Sequence, residues 1–459
     1  MLRIVTGNQA GEQLAGTTCQ RVEENRNNMT LPYAVIGAGP MGLCTARQLK
    51  KYGIPFVGLE QHSDVGGLWD IDNPHSTVYE TAHLISSKHT TEFTEFPMSD
   101  DVATYPHQRE LRQYFHDYAM NFGLYDNYEF RTKVVRVEPA GEAWSVVTEC
   151  DGVQTRRDFA GVLIANGTLH HPLMPGLPGY DGELIHAAQY KRPEQFWGKQ
   201  VLVVGCGNSA CDIAVDAVHH ANSVDISVRR GYYFVPKFVF GKPADTLGKL
   251  RLPRPLKQFL DGLMIRVFMG KPSDYGLPDP DYKLYESHPV VNSLVLYHLG
   301  HGDIHARGDI AKAEGKTITF KDGRSADYDM VLMATGYKLD YPFIHSKLLN
   351  WHGAAPQLYL NCMHPELDSL FMMGMVEATG LGWQGRDEQA EMVALYIRQL
   401  QAGKASALNL KQHKSTHYSQ SKDGGYKYLK LDRMAYYVNK DDYRDALKKH
   451  IGELKADLG

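Results

Sequence analysis

Two glycine-rich turns, each set between an apolar strand and a helix, constrain this chain more than any other feature. The first, Gly37-Ala-Gly39-Pro-Met-Gly42, follows directly on Tyr33-Ala-Val-Ile. Pro40 to Lys51 then reads as a helix, because Met41, Cys44 and Leu49 fall near one face and Tyr52-Gly53 closes it. Gly37 permits the tight turn, Gly39 lets a pyrophosphate approach the backbone, and Gly42 lets helix and strand pack closely. The helix N-terminus, opening at Pro40 and Met41, adds amide donors and a positive dipole. The next strand, Pro55-Phe-Val-Gly-Leu-Glu60, ends in an acid followed by Gln61, where a carboxylate accepts hydrogen bonds from a ribose diol. Beyond it, the adjacent glycines of Gly66-Gly67-Leu68-Trp69 let the chain pass over a flat cofactor, with Trp69 beside it.

The design recurs. Gln200-Val-Leu-Val-Val runs into Gly205-Cys-Gly207-Asn-Ser-Ala210, a helix is expected from Ser209 to His220, and Ser223-Val-Asp-Ile-Ser-Val is the following strand. Ala210 stands where the third glycine would, a replacement the fingerprint allows. This unit ends not in an acid but in Arg229-Arg230, whose guanidinium groups suit a ribose 2′-phosphate and favour NADPH over NADH. A solvated surface pair is the plainer reading of the same two residues. One turn thus offers a carboxylate to a free ribose, as FAD presents, and the other offers cations to a phosphorylated one. Two such dinucleotides in one chain imply a flavin that receives hydride from a nicotinamide.

Composition excludes several other classes. The 459 residues carry 49 basic and 53 acidic side chains, a net charge of −4, which argues against a nucleic-acid binder. Six cysteines are scattered without CxxC spacing, and the histidines show no metal-ligand spacing, so no metal is expected. Cys206 and Cys211, the one pair at CxxxxC spacing, read as small packing residues. No apolar run approaches the ~18 residues of a spanning helix, and the first thirty residues lack a secretory h-region, so a cytoplasmic protein with no membrane span is expected.

The expected fold is α/β, with two Rossmann-like dinucleotide-binding domains, the smaller inserted in the larger. Residues 1–29 read as a flexible extension, 30–190 as the first part of an FAD-binding domain and 191–325 as an NAD(P)-binding domain. Residues 326–459 return to the first domain and end in helices. A small β-meander is expected around Val134 and Trp144, and a strand over Asp329-Met-Val-Leu-Met ends at Ala334-Thr335-Gly336. Glu388 to Gln401 reads as a strong final helix, and Lys440 to Gly459 is charged and polar. Leu256 to Met269 is amphipathic and is expected to pack on its own domain, over the nicotinamide or substrate cleft; a membrane surface is the competing reading.

Between the two units lies Tyr180-Asp-Gly182-Glu-Leu-Ile-His186-Ala-Ala-Gln-Tyr190-Lys191. It resembles the FxGxxxHxxx(Y/F) fingerprint of flavin-containing monooxygenases, with Tyr180 in place of Phe. From residue 31 onward both glycine clusters, Glu60, Leu68-Trp69, His288-Pro-Val-Val-Asn292 and Ala334-Thr-Gly-Tyr337 carry the same resemblance, most like the bacterial type II subclass. The resemblance implies that Gly67, Leu68 and Trp69 touch FAD and that Val134 meets its adenine through the backbone. It implies that Ser209, Ala210, Cys211 and Asp212 line NADP, that Ala334, Thr335 and Gly336 link the domains, and that Gln384, ahead of the last helix, lies near the isoalloxazine; Asn208, Ser209, Arg229 and Arg230 are expected to position the nicotinamide. Many members have Asn where Ile85 stands, before Ser86, beside the flavin. Asn208, Tyr190 and Ser86 are the expected catalytic positions.

The implied reaction is class B monooxygenation. NADPH, or NADH as in that subclass, reduces FAD; O2 adds at flavin C4a; and the hydroperoxide gives one oxygen atom to a small-molecule sulfide or amine, or attacks a ketone. A Baeyer–Villiger monooxygenase acting on ketones is the alternative, although such enzymes typically carry Trp where Tyr190 stands. A non-catalytic nucleotide-binding redox sensor is the remote one. Members of such a family often form homodimers.

Overall fold

A computed structural model describes residues 31–247 and 252–458. The expected extension 1–29 lies outside the described residues. Strand β1 (Tyr33–Ile36) is buried along its whole length, as befits a parallel strand covered on both faces. It runs through the first glycine turn into α1 (Pro40–Lys51) and returns as β2 (Phe56–Leu59), in register Ala34 to Val57. Gly161–Ile164 pairs on its other side, and Leu370–Met372 and Tyr128–Glu129 close an all-parallel five-stranded sheet.

The second unit repeats this. Strand β3 (Gln200–Val204), helix α2 (Asn208–Val218) and strand β4 (Ser223–Ser227) lie in a second all-parallel sheet, with Ile304–Arg307, Met330–Met333 and Glu183–His186 as its other strands. The chain leaves the first sheet at Ile164 and rejoins it at Leu370, so the second unit is inserted in the first. Glu183–His186 and Met330–Met333 are strands of this second sheet, outside the 191–325 span expected for it. The meander is present as three antiparallel strands, Lys133–Ala140, Ala143–Cys150 and Val153–Phe159.

Helix α3 (Arg254–Met269) lies on its own unit, but with most of its apolar residues turned outward. Its inward side is mixed: Ile265 and buried Met269 pack on the core of the second unit, while Gln258 donates to the Leu284 carbonyl at 2.8 Å, and Asp261 takes the Tyr285 hydroxyl at 2.5 Å and the Lys257 ammonium at 2.7 Å. Its apolar stripe faces outward.

Helix α4 (Gly382–Gln401) begins six residues before the expected Glu388 and is not the last, since Ala405–His417 and Lys440–Ala456 follow it. The polar-looking tail folds because Tyr443, Leu447, Ile451 and Leu454 fall on one buried helical face while its charges stay outside. Arg444 grips Glu388 of α4 through two bonds of 2.6 and 2.8 Å. No helix among the described residues is long and apolar enough to cross a membrane.

Asp387 of α4 yields a pH-dependent prediction. Burial, reinforced by Glu95 and Glu391, pushes its pKa from 3.8 up to about 6 against the opposing Gln48 hydrogen bond. Between those values the folded protein holds a proton that the unfolded chain has lost, so stability falls as pH rises through the window. Asp387→Asn is expected to gain about 1–2 kcal/mol above roughly pH 7 and nothing near pH 4, read by denaturant titration at both pH values.

Candidate functional site

The glycines of the first turn do different jobs. Gly37 has φ +107°, and a Cβ there would lie 2.7 Å from the Ala165 carbonyl oxygen; a Cβ on Gly42 would fall 1.9 Å from the Gly37 oxygen. Both are required by the protein itself. Gly39 is not: its φ is −71°, and the nearest atom to an added Cβ is the Gly67 Cα at 3.6 Å. No side chain caps α1, and its first turn carries no acid, so the helix presents free amide donors to an anion. Glu60 is buried behind this turn, one oxygen accepting the Ala38 N–H at 2.6 Å and the other the His62 N–H at 2.8 Å. Burial raises its pKa, an effect those two N–H groups oppose.

Gly66 donates to the Ala38 carbonyl at 3.0 Å, and a Cβ on Gly67 would come within 2.8 Å of the Gly39 Cα. The double glycine therefore lies on the first turn itself, backbone against backbone. Trp69 packs against the cores of both units, and Leu68 against that of the second. Val134 reaches the same corner, because the Thr132 N–H bonds the Glu60 carbonyl at 2.8 Å and the Arg131 N–H bonds the His62 carbonyl at 2.9 Å.

The second turn shows the same division. Gly205 has φ +124°, and a Cβ would lie 2.5 Å from the Ala334 oxygen; Ala210 is fully buried at the helix–strand contact. A Cβ on Gly207 would meet nothing within 4 Å, and α2 again has neither a side-chain cap nor an acid in its first turn. The second glycine of each turn faces a cradle that the protein leaves open, and the space and free donors there fit the pyrophosphate of a dinucleotide. Asn208 is fixed through its Oδ1, which accepts the Val291 N–H at 2.7 Å, leaving its amide hydrogens for another acceptor. Ser209 is exposed. Arg229 is exposed as well, and Arg230 is held by Asp281 at 3.3 Å. Cys206 and Cys211 are buried with their sulfurs 4.0 Å apart.

Two expected site residues turn out to hold the units together. Asp212 accepts the Asn292 amide at 2.5 Å and the Tyr79 hydroxyl at 3.2 Å, and burial raises its pKa. Tyr190 is fully buried between Tyr79 and Phe196 and donates to Asp216 at 2.8 Å, where Thr81 also donates. Its hydroxyl points into this contact. Residues 79–81 of the first unit thus grip one face of α2, where Asp212 and Asp216 sit a helical turn apart; the sequence reading missed Asp216, and its i, i+4 spacing from Asp212 is the signal that could have found it. Tyr190→Phe leaves buried Asp216 short of a donor and should cost about 1–3 kcal/mol in a denaturation curve, with kcat changed less than ~2-fold.

The fingerprint around His186 is likewise structural. Tyr180 donates to the Tyr328 carbonyl at 3.1 Å, and a Cβ on Gly182 would collide with the Tyr180 hydroxyl at 2.2 Å. His186 Nδ1 accepts the Ala188 N–H at 3.1 Å, and its Nε2 lies 3.1 Å from the Gly336 carbonyl. That carbonyl also takes the Leu173 N–H at 2.9 Å, and the Thr335 hydroxyl donates to the Leu173 carbonyl at 2.5 Å. His171–Pro172 and Tyr337–Lys338 pair here as an antiparallel ribbon.

Three segments converge at the third corner. Ile85 is half-buried, Ser86 shares a 2.6 Å hydrogen bond with Thr91, and buried Lys88 donates to the Ser99, Asp100 and Val102 carbonyls. Asp245, from the second unit, accepts the Ser87 N–H and the Thr90 hydroxyl, each at 2.6 Å. Nothing in the sequence marked that aspartate. Gly382, at φ +63°, has Thr90 so close that a Cβ would lie 2.2 Å from its carbonyl oxygen. Gln384 stands in the first turn of α4, not ahead of it, and the Gly382 contact sets the start of that helix against Thr90 and Thr91.

Two parallel sheets, the second inserted in the chain of the first and each with an open glycine cradle at an uncapped helix, define the two-dinucleotide oxidoreductases. The chain belongs to the flavin-binding monooxygenase-like family, whose model matches residues 32–454. It is 30% identical to flavin-containing monooxygenase 5 of Oryctolagus cuniculus over 392 residues, 80% of this chain and 73% of that protein. Among solved structures it is similar to an S-allyl-L-cysteine S-oxygenase from Allium sativum (21% identity, TM-score 0.63, covering 92% of this chain and 89% of that one). It is also similar to cyclohexanone monooxygenase in an open form (18% identity, TM-score 0.67, covering 93% and 98%). The protein is thus a flavin monooxygenase, an oxidoreductase using FAD, a nicotinamide dinucleotide and dioxygen. The non-catalytic sensor is set aside.

Proposed function

We propose that the protein oxygenates small soft nucleophiles, sulfides and amines, in the cytoplasm, with NADPH as preferred reductant and NADH accepted. In this reading residues 30–190 and 326–459 hold FAD, and residues 191–325 hold the nicotinamide dinucleotide. The observation that carries this assignment of the two dinucleotides is the contrast between the two cradles, one backed by Glu60 and the other followed by exposed Arg229. Bound FAD supplies the redox chemistry, taking hydride from the nicotinamide and activating dioxygen so that one of its atoms reaches the substrate.

The chain's own residues position and exclude. Gly37, Gly39, Pro40, Met41 and Gly42 receive the FAD pyrophosphate, Glu60 and Gln61 meet its ribose, and Val134 meets its adenine. Gly205, Gly207 and Ser209 receive the nicotinamide dinucleotide, and the free amide hydrogens of Asn208 orient its nicotinamide end. Leu68, Trp69, Ile85, Ser86 and Gln384 enclose the flavin ring and keep water from it.

The test pairs a thioether with a cyclic ketone under NADPH and air. Sulfoxide should dominate, with oxygen uptake stimulated by the thioether. A lactone as main product would transfer the enzyme to the Baeyer–Villiger reading. Failure of NADPH to bleach the flavin anaerobically would overturn both.

A further inference from the structure

Helix α3 carries the most exposed apolar surface of the described residues. Leu256, Phe259, Leu260, Leu263, Met264 and Val267 recur at helical spacing on its outer side, with Phe259 67% and Val267 72% exposed. The patch continues onto the neighbouring hairpin, where Phe240, 82% exposed, meets the Phe268 ring at 5.4 Å. Monomeric proteins rarely leave contiguous apolar surface beyond a few hundred Å2 without a partner. This helix is held from its inner side by Gln258, Asp261, Ile265 and Met269 and leaves such a stripe on its outer side.

Charge identifies the partner. From residue 237 to 271 the sequence places eight Lys and Arg residues against Asp245 and Asp261, in a chain whose net charge is −4. Both acids are engaged internally, Asp245 by Ser87 and Thr90 and Asp261 by Lys257 and Tyr285. Lys242, Arg254, Arg266 and Lys271 are exposed around the apolar stripe. Pairing with a second copy through the same stripe would bring two cationic rims together. An apolar stripe with a cationic border is instead complementary to an anionic lipid surface, in which a helix of this kind lies in the interface plane.

We propose that α3 and the Phe240 hairpin dock the protein peripherally on membranes containing anionic phospholipids. The apolar stripe enters the headgroup boundary and the surrounding cations meet the lipid phosphates. The inference is independent of which substrate is oxygenated.

Sedimentation of the full-length, FAD-loaded protein with vesicles tests it, using phosphatidylcholine alone and an equimolar mixture with phosphatidylglycerol. The protein should pellet with the mixed vesicles, weakly or not at all with phosphatidylcholine, and less as salt is raised. The Phe259→Glu, Val267→Glu double variant should lose at least about tenfold in partitioning, and so should Arg254→Glu, Arg266→Glu, which leaves the stripe intact. Both should oxidise NADPH in vesicle-free buffer as the unaltered protein does. Three results would overturn the proposal: unaltered protein staying in solution, the stripe variant binding undiminished, or light scattering showing a dimer that Val267→Glu dissociates.

Discussion

Gly39→Ala protein is expected to fold normally and to purify with little flavin. The backbone at Gly39 has φ −71°, which alanine adopts freely, and the new methyl would sit 3.6 Å from the Gly67 Cα, an ordinary van der Waals contact. The protein therefore has no steric objection to it. What the methyl obstructs is the approach of a pyrophosphate to the amides of α1. Overpacking of this sort costs about 1–3 kcal/mol, so FAD should bind roughly 10–100-fold more weakly, with activity at low added FAD falling in proportion. Flavin absorbance per polypeptide and the melting temperature, measured together, check it. Gly37→Ala is the contrast: its φ of +107° and a 2.7 Å approach to the Ala165 oxygen should lower the melting temperature itself. Undiminished flavin content in Gly39→Ala would show that the cradle is not where the pyrophosphate lies.

The second large effect concerns coenzyme choice. Arg229→Ala should raise KM for NADPH by roughly 10–100-fold, the loss of a charge-assisted contact worth ~1.5–3 kcal/mol, while KM for NADH changes less than ~2-fold. Arg230→Ala should do less, since its guanidinium is already held by Asp281. Steady-state kinetics with both coenzymes decide the matter, and equal changes in the two KM values would remove Arg229 from the 2′-phosphate.

The two βαβ units were legible because their signals are local. A glycine whose φ is positive or whose Cβ has no room leaves its mark at one position, and the flanking strands are short apolar runs. The start of α4 was hidden by Gly382 and Gly385, which depress helix propensity but are needed where the helix meets Thr90 and Leu381. The helix at Lys440–Ala456 was masked by its many charges, although its buried Tyr443, Leu447, Ile451 and Leu454 carry the helical period. Periodicity located the stripe of α3 but could not tell which side faces the body, because that depends on the polar groups at Leu284 and Tyr285 that receive it. Tyr190 and Asp212 show the limit at the site. Their places in the motif were readable, yet their hydrogen-bond partners come from elsewhere in the fold: Tyr79 lies 133 positions from Asp212, and Asp216 lies 26 positions from Tyr190 on another element.

The ribbon formed by His171–Pro172 and Tyr337–Lys338 has a mechanical meaning. The first of these strands carries the chain out of the first sheet and the second carries it back, so both crossings between the units are bonded to each other. Two tethers fused in this way act as the spine of a book: sliding one unit past the other would tear the ribbon, whereas swinging about it leaves the ribbon whole and breaks other crossings, such as Glu80 N–H to the Lys191 carbonyl at 2.8 Å and Leu429 N–H to the Glu286 carbonyl at 2.9 Å. The Tyr79 and Thr81 hydroxyls on α2 then serve as the clasp on the covers. What a swing must break is this set of hydrogen bonds between the units, and not the ribbon itself.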